Sequence, residues 1–475
     1  MMTGGLVLAA DTTEAEPVQA VAAATQTKAK TAQAAPVQQT YSLDLDTTKY
    51  EKKTMTVDGK KVAFRAYENR VYVAHPVDTT YQSMNIYVPE GYFNGKTING
   101  YTAKTAPIFL PNTVGGYMPG APGQPSENDR MTGGANAMLV ALSKGYVVAA
   151  PGARGRTTQA ADGTYTGKAP ALKALGAADE RDDIYASSVY CPITDLDHAD
   201  MAYEWMFNGV NTYHQGNMGA MKPPAGNSQA KPAGVVTNRP DNAPVEAAAG
   251  TEMTAVQQQA SKDLKAMYPA YINSLHLVDK NGKALTLDEN GRGSFADYIK
   301  SIYMASAQKA LDNGTDLSSK TWLTINDGKV TDMDLAGYAV DVTRLKAAPA
   351  FDALDMSSAE TEEFGTATVD KQHFTVYGKD HSTIAGSALA DKDIVKTMNP
   401  LNYIGKSGVK TAHYWRIRHG EADRDTTIAV PAVVALRLQQ AGYDVDFASP
   451  WARGHAGDYD LDELFAWMDA IGHKN

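Results

Sequence analysis

Residues 41 to 73, "YSLDLDTTKYEKKTMTVDGKKVAFRAYENRVYV", alternate apolar and polar positions and turn at Asp58-Gly59. A period of two predicts antiparallel strands joined by a tight hairpin. "SMNIYVP" (83–89) repeats the pattern. "TAPIFLPNTVGGY" (105–117) reads as a buried strand ending in a glycine turn. "GANAMLVALSKG" (134–145) follows as an amphipathic helix stopped by Gly145. "YVVAAPGARGR" and "DDIYASSVYCPITDLD" are again strand then loop. Near the C-terminus "TAHYWRIRHG", "IAVPAVVALRLQQAG", "YDVDFAS" and "DLDELFAWMDAIGHK" read strand, helix, strand, helix. This alternation predicts an α/β fold with a mostly parallel sheet covered on both faces.

Residues 195–398 break the rhythm. A Pro-, Asn- and Ala-rich stretch precedes "TAVQQQASKDLKAMYPAYINSLHLV" and "SFADYIKSIYMASAQKALDNG", both with helical spacing. An insertion forming a lid or substrate domain is expected there. The organisation is therefore a tail (1–40), a first part of the core (41–194), the insertion (195–398) and a second part of the core (399–475). The tail is linker-like, rich in Ala, Thr, Gln and Pro. Its "GGLVLAADTTEAEP" resembles the end of a secretion signal without a basic start, so a secreted or cell-envelope location is expected, with a cytoplasmic one as the alternative.

A net charge of -10 argues against a nucleic-acid partner, which needs a basic face. No run is long and apolar enough to span a membrane. The single cysteine, Cys191, excludes an internal disulfide and lies in an apolar run that suits a buried, inert thiol.

In open parallel sheets, ligands bind beyond the carboxyl ends of the strands. Asp423 follows one such strand and His455 the next. An acid and then a histidine on successive strand ends form the latter part of the order Ser, Asp, His. The acid would hold the imidazole tautomer; the histidine would move a proton. Gly115 and Gly116 let the backbone turn after an early strand, where half of an oxyanion hole sits in hydrolases of this type. The nucleophile is unknown. The pattern G-x-S-x-G does not occur, and Ser187 and Ser188 fall inside a strand. Gly405-Lys406-Ser407 fails as a phosphate loop because position 400 is Pro. No zinc motif or dinucleotide fingerprint is present, and no metal or cofactor is expected.

From about residue 60 to 472 the chain resembles bacterial tannases, α/β-hydrolases that cut galloyl esters. The likeness runs through "APIFLPNTVGGYMPG", "GYVVAAPGARGRTT", "RLKAAPAFDALDMSSAETEEFG", "HYWRIRHGEADRDT" and "GYDVDFASPWARGHAGDYDLDELFAWMD". It implies that Asp423 and His455 are triad acid and base and that Gly115 and Gly116 form the oxyanion turn. It also implies that Lys346, Glu360 and Asp425 bind the galloyl hydroxyls. Two carboxylates that accept from phenols, beside a lysine that donates, suit three adjacent hydroxyls. The expected partners are small phenolic esters: gallate esters and hydrolysable tannins. A feruloyl or other phenolic-acid esterase and a non-catalytic galloyl binder are the alternatives. The chain departs from the family where "TGKAPALKALGAADE" replaces a helix, a strand and the G-T-S-A-G-G serine elbow. Those elements need on the order of thirty residues. A sheet without its central strand, and a chain inactive as written, are expected. An incomplete gene or assembled sequence is the preferred explanation, ahead of a pseudoenzyme that binds galloyl compounds.

Overall fold

The computed structural model describes residues 40–112, 115–129, 132–175, 183–214 and 250–472. The N-terminal tail, the residues 176–182 that follow the abrupt junction, and the Pro-rich stretch 215–249 lie outside the described residues.

The expected hairpin forms. Strands β1 (Glu51–Val57) and β2 (Lys60–Val71) pair antiparallel, with Val57 opposite Lys60. Asp58 (φ 48°) and Gly59 (φ 75°) supply the two left-handed positions that such a two-residue turn requires. β3 (Ser83–Pro89) alternates buried and half-buried residues throughout. It pairs antiparallel with β2 and with β5 (Val147–Pro151). β4 (Ile108–Phe109) pairs parallel with β5, which completes a five-stranded sheet in the order β1-β2-β3-β5-β4. The helix Ala137–Ser143 packs on this sheet. Its cap is Asn136, which accepts from the Leu139 amide at 3.0 Å.

A second, three-stranded sheet is wholly parallel. β7 (Tyr414–Arg418) lies between β6 (Ala186–Tyr190) and β8 (Asp444–Ala448). The crossover from β7 to β8 is the helix Ala429–Gln440. That helix is buried on nearly every side, as a helix apolar all round should be.

Two expectations are corrected. The single, mostly parallel sheet is two sheets, and the larger is mainly antiparallel: β1, β2 and β3 follow one another without an intervening helix, so they meander. "TAPIFL" is not a long buried strand. β4 has two residues, and Ile108 is 68% exposed. The physical reason is that only one side of β4 is paired among the described residues. Among the described residues β4 pairs only with β5, and β6 only with β7.

One apolar cluster joins residues 195–398 to the second sheet. Tyr203, Trp205 and Phe207 of the helix Leu196–Phe207 pack with Tyr268, Phe295 and Tyr303 from the helices Ala255–Ser274 and Ser294–Asp312. Ile428, Val433 and Leu436 complete it from the β7–β8 crossover. Residues 195–398 are thereby fixed against the crossover helix of the second sheet. None of the described helices is long and apolar enough to cross a membrane.

Candidate active site

The site begins where β7 and β8 end. The loop after β7 runs Gly420-Glu421-Ala422-Asp423, and the loop after β8 runs past Pro450 to His455. They lie flush. The Glu421 amide donates to Pro450 O at 2.9 Å and the Ala422 amide to Arg453 O at 2.9 Å. A side chain at Gly420 would meet Arg453 O at 2.1 Å, so only glycine allows this contact.

The two loops bring Asp423 and His455 together, with His455 Nδ1 2.9 Å from Asp423 Oδ2. Asp423 is buried and fully engaged. Its Oδ1 accepts from the amides of Asp425 (2.9 Å) and Thr426 (3.1 Å), and its Oδ2 from the Thr426 hydroxyl (3.0 Å). His419 Nε2 is 3.4 Å from the same Oδ2. Burial works against ionisation of Asp423. The charges of His455 and His419, with the hydrogen bonds, outweigh burial and hold the acid well below the usual carboxylate range. Burial likewise disfavours the charged form of His455. The carboxylates of Asp423 and Asp425 outweigh it and raise the imidazole well above its ordinary value. Nδ1 faces a carboxylate that can only accept, so Nδ1 carries a proton and Nε2 is the nitrogen that exchanges one.

Asp425 is shared. Its Oδ2 lies 3.6 Å from His455 Nε2 and its Oδ1 3.3 Å from Lys346 Nζ. Glu360 is buried and electrostatically coupled to Lys346. Burial raises the Glu360 carboxyl, and Lys346 opposes that shift. Lys346 itself is raised by Asp425 and Glu360 against the cost of burial. Its ammonium sits 4.4 Å from the centre of the Phe351 ring. Lys346 and Asp425 thus meet beside the histidine, and Glu360 is coupled to both electrostatically. Gly115 and Gly116 form a turn whose next residue, Tyr117, is half-buried and electrostatically coupled to Glu363 and Glu360. Gly116 has φ 63°, and Arg156 Nε donates to its carbonyl at 3.0 Å.

Sequence reasoning missed the supports of the trio. The Glu204 carboxylate and Arg344 guanidinium form a fully buried two-pronged pair at 2.6 and 3.0 Å, and Arg344 Nε donates to Lys346 O at 2.7 Å. The Tyr203 hydroxyl donates to Arg424 O at 2.7 Å and accepts from the Leu345 amide at 3.2 Å. It therefore ties the Lys346 loop to the loop of Asp425. The one signal in the sequence was a glutamate inside the apolar helix "ADMAYEWMF".

The buried Cys191 thiol lies at the end of β6, with Sγ 3.7 Å from Ala456 O. Burial, followed by Asp423, pushes the thiol up. Donor atoms of Cys191, Asp423 and His455 lie within 4.8 Å of one another, as do those of Asp195, Asp197 and His198. Both groups already spend their donors internally. His455 is held by Asp423. His198 bonds Asp195 at 2.9 Å, and the Asn399 amide bonds Asp195 and Asp197 at 2.6 and 2.7 Å. Ser187 and Ser188 sit opposite Trp415 and Arg416 in mid-strand. The Ser188 hydroxyl is buried without a hydrogen-bond partner.

A histidine fixed by a buried aspartate at the ends of adjacent parallel strands is an arrangement that can move a proton. Solved structures extend the likeness over about nine-tenths of the chain. A tannase of Fusobacterium nucleatum is 40% identical with a TM-score of 0.81, over 91% of this chain and 100% of that one. A tannase of Lactobacillus plantarum is 37% identical with a TM-score of 0.79, over 91% and 100%. A tannin acyl hydrolase in complex with ethyl gallate is 37% identical with a TM-score of 0.78, over 90% and 98%. No protein-family model and no curated protein matches the chain. The chain belongs to the bacterial tannases, the tannin acyl hydrolases.

Proposed function

We propose that this chain binds the galloyl group of tannin-type esters between Lys346, Glu360 and Asp425, and that as written it does not hydrolyse them through His455. The observation that carries the reading is the double engagement of Asp425, with Lys346 on one oxygen and His455 on the other. A ring whose hydroxyls meet this trio would present its ester carbonyl toward His455 Nε2. Two of the related structures hold 3,4-dihydroxybenzoate and ethyl gallate, which supports a ligand of this chemistry. The absence of G-x-S-x-G and the unpaired sides of β4 and β6 support the loss of the serine strand. In an intact site His455 would take the serine proton and return it to the leaving alcohol, with a galloyl-serine intermediate. Here the dyad has only water to activate. Losing the nucleophile typically costs several powers of ten in rate.

Hydrolysis of methyl gallate tests the inactive half of the reading. The chain as written is expected to show no turnover that depends on His455, and a version with the strand and the G-T-S-A-G-G elbow restored is expected to show it. Turnover by the chain as written that disappears in His455→Ala and in Ser187→Ala or Ser188→Ala would overturn the proposal.

A further inference from the structure

An Asp–His–Ser relay, built of residues other than the Asp423–His455 dyad, lies within residues 195–398. His373 Nδ1 is 2.7 Å from Asp352 Oδ1, and His373 Nε2 is 2.8 Å from Ser382 Oγ. Asp352 and His373 are both fully buried. The other oxygen of Asp352 accepts from the amides of Phe374 (3.1 Å) and Thr375 (2.8 Å) and from the Thr375 hydroxyl (2.6 Å). Gly378 is required above it, because a Cβ there would meet Asp352 Oδ2 at 2.3 Å. The imidazole is clamped too. The His373 amide donates to Ala388 O at 3.0 Å, and its carbonyl accepts from the Ala390 amide at 2.7 Å.

The hydrogen-bond chemistry fixes the direction of the relay. Asp352 Oδ2 accepts from two amides and a hydroxyl, and its Oδ1 faces Nδ1 as an acceptor, so Nδ1 donates to it. Nε2 is then an acceptor, and the Ser382 hydroxyl can donate to it. The Ile384 amide donates to the same Oγ at 3.2 Å. This is the arrangement that activates a serine: nucleophile on base, base on an orienting acid, with the last two buried and rigid. Ser382 itself is half-buried on a surface loop whose Ile384 is 42% exposed. It does not line the nearby cavity of about 420 Å³ walled by Phe374, Tyr377 and Leu389. An acyl group would therefore approach from the surface, which favours a short one.

We propose that Ser382, His373 and Asp352 form an acyl-accepting hydrolytic site for short-chain acyl esters. Ser382 Oγ attacks the ester carbon, and its proton passes to His373 Nε2. The carbon–oxygen bond to the alcohol breaks, and the leaving oxygen takes that proton. Water then repeats the sequence with Oγ as the leaving group, so ester and water become acid and alcohol.

The full chain treated with diisopropyl fluorophosphate and mapped by mass spectrometry tests this without any substitution. The expected result is a phosphoryl adduct on Ser382. Hydrolysis of p-nitrophenyl acetate by the chain is expected to fall about a hundredfold or more in Ser382→Ala. No adduct on Ser382, or a rate unchanged in Ser382→Ala, would overturn the proposal and leave the relay as a clamp on its loop. Gallate binding by Ser382→Ala reads the other site separately, so either conclusion can fail without the other.

Discussion

The ring nitrogen of His455 that would face a nucleophile faces a carboxylate: Nε2 lies 3.6 Å from Asp425 Oδ2. With Asp423 on Nδ1, the imidazole sits between two acids, an arrangement that stores a proton. A phenolic ligand that engages Asp425 would draw that acid's charge away and return the histidine toward its ordinary range.

The folded imidazole is therefore expected to titrate well above 6.5, and to titrate lower in Asp425→Asn. Nitrogen NMR of the histidine rings reads both. The sign for stability follows. Below about pH 6.5 the imidazolium exists folded and unfolded alike, and its pairing contributes in full. As pH rises through the higher folded value, that contribution is lost. A His455 pKa at or below 6.5 would contradict this electrostatic account.

Asp423 runs the other way. Its folded pKa is depressed, so its stabilisation is present above about pH 3.9 and is lost as pH falls toward the folded value. Asp423→Asn presents an amide where His455, the Thr426 hydroxyl and two backbone amides all donate. A loss of about 3–5 kcal/mol at pH 7 is expected, as for other broken buried pairs. Urea unfolding at pH 7 and pH 3 should show the difference between the variant and the parent shrinking with acid.

The Glu204–Arg344 pair positions Lys346 from behind. Arg344→Met strands a fully buried carboxylate and frees the Lys346 carbonyl. It is expected to cost about 3–5 kcal/mol of stability. Gallate affinity should also weaken by more than the loss of folded protein explains, because the ammonium loses its register. Unfolding curves, with gallate titrations kept within the folded range, separate the two effects. Unchanged affinity in the folded fraction would remove Arg344 from the account of binding.

The sequence made some of this legible and hid the rest for physical reasons. The alternation in "SMNIYVP" predicted β3 because one strand's faces are written within its own seven residues. The approach of Asp423 to His455 could be expected because each stands in the loop that follows one of two neighbouring strands. Lys346 and Glu360 looked like solvated charges, and only resemblance assigned them. The Lys346 loop is held by Tyr203 and by Arg344, whose pair with Glu204 spans 140 positions along the chain. β4 was misread as buried because local hydrophobicity does not report whether a neighbouring strand is there to cover it. His373 and Ser382 gave no sign of pairing with Asp352, since their approach is set by how three loops fold together.

Calorimetric titration with gallate and with benzoate tests the central claim most directly. Only gallate carries three hydroxyls to bond Lys346, Glu360 and Asp425; benzoate offers them none. The account predicts that gallate binds more tightly, by about 1.5–3 kcal/mol for each charged hydrogen bond gained, and that Lys346→Ala removes most of the difference. Equal affinities for the two acids, or a preference for gallate that survives Lys346→Ala, would contradict it.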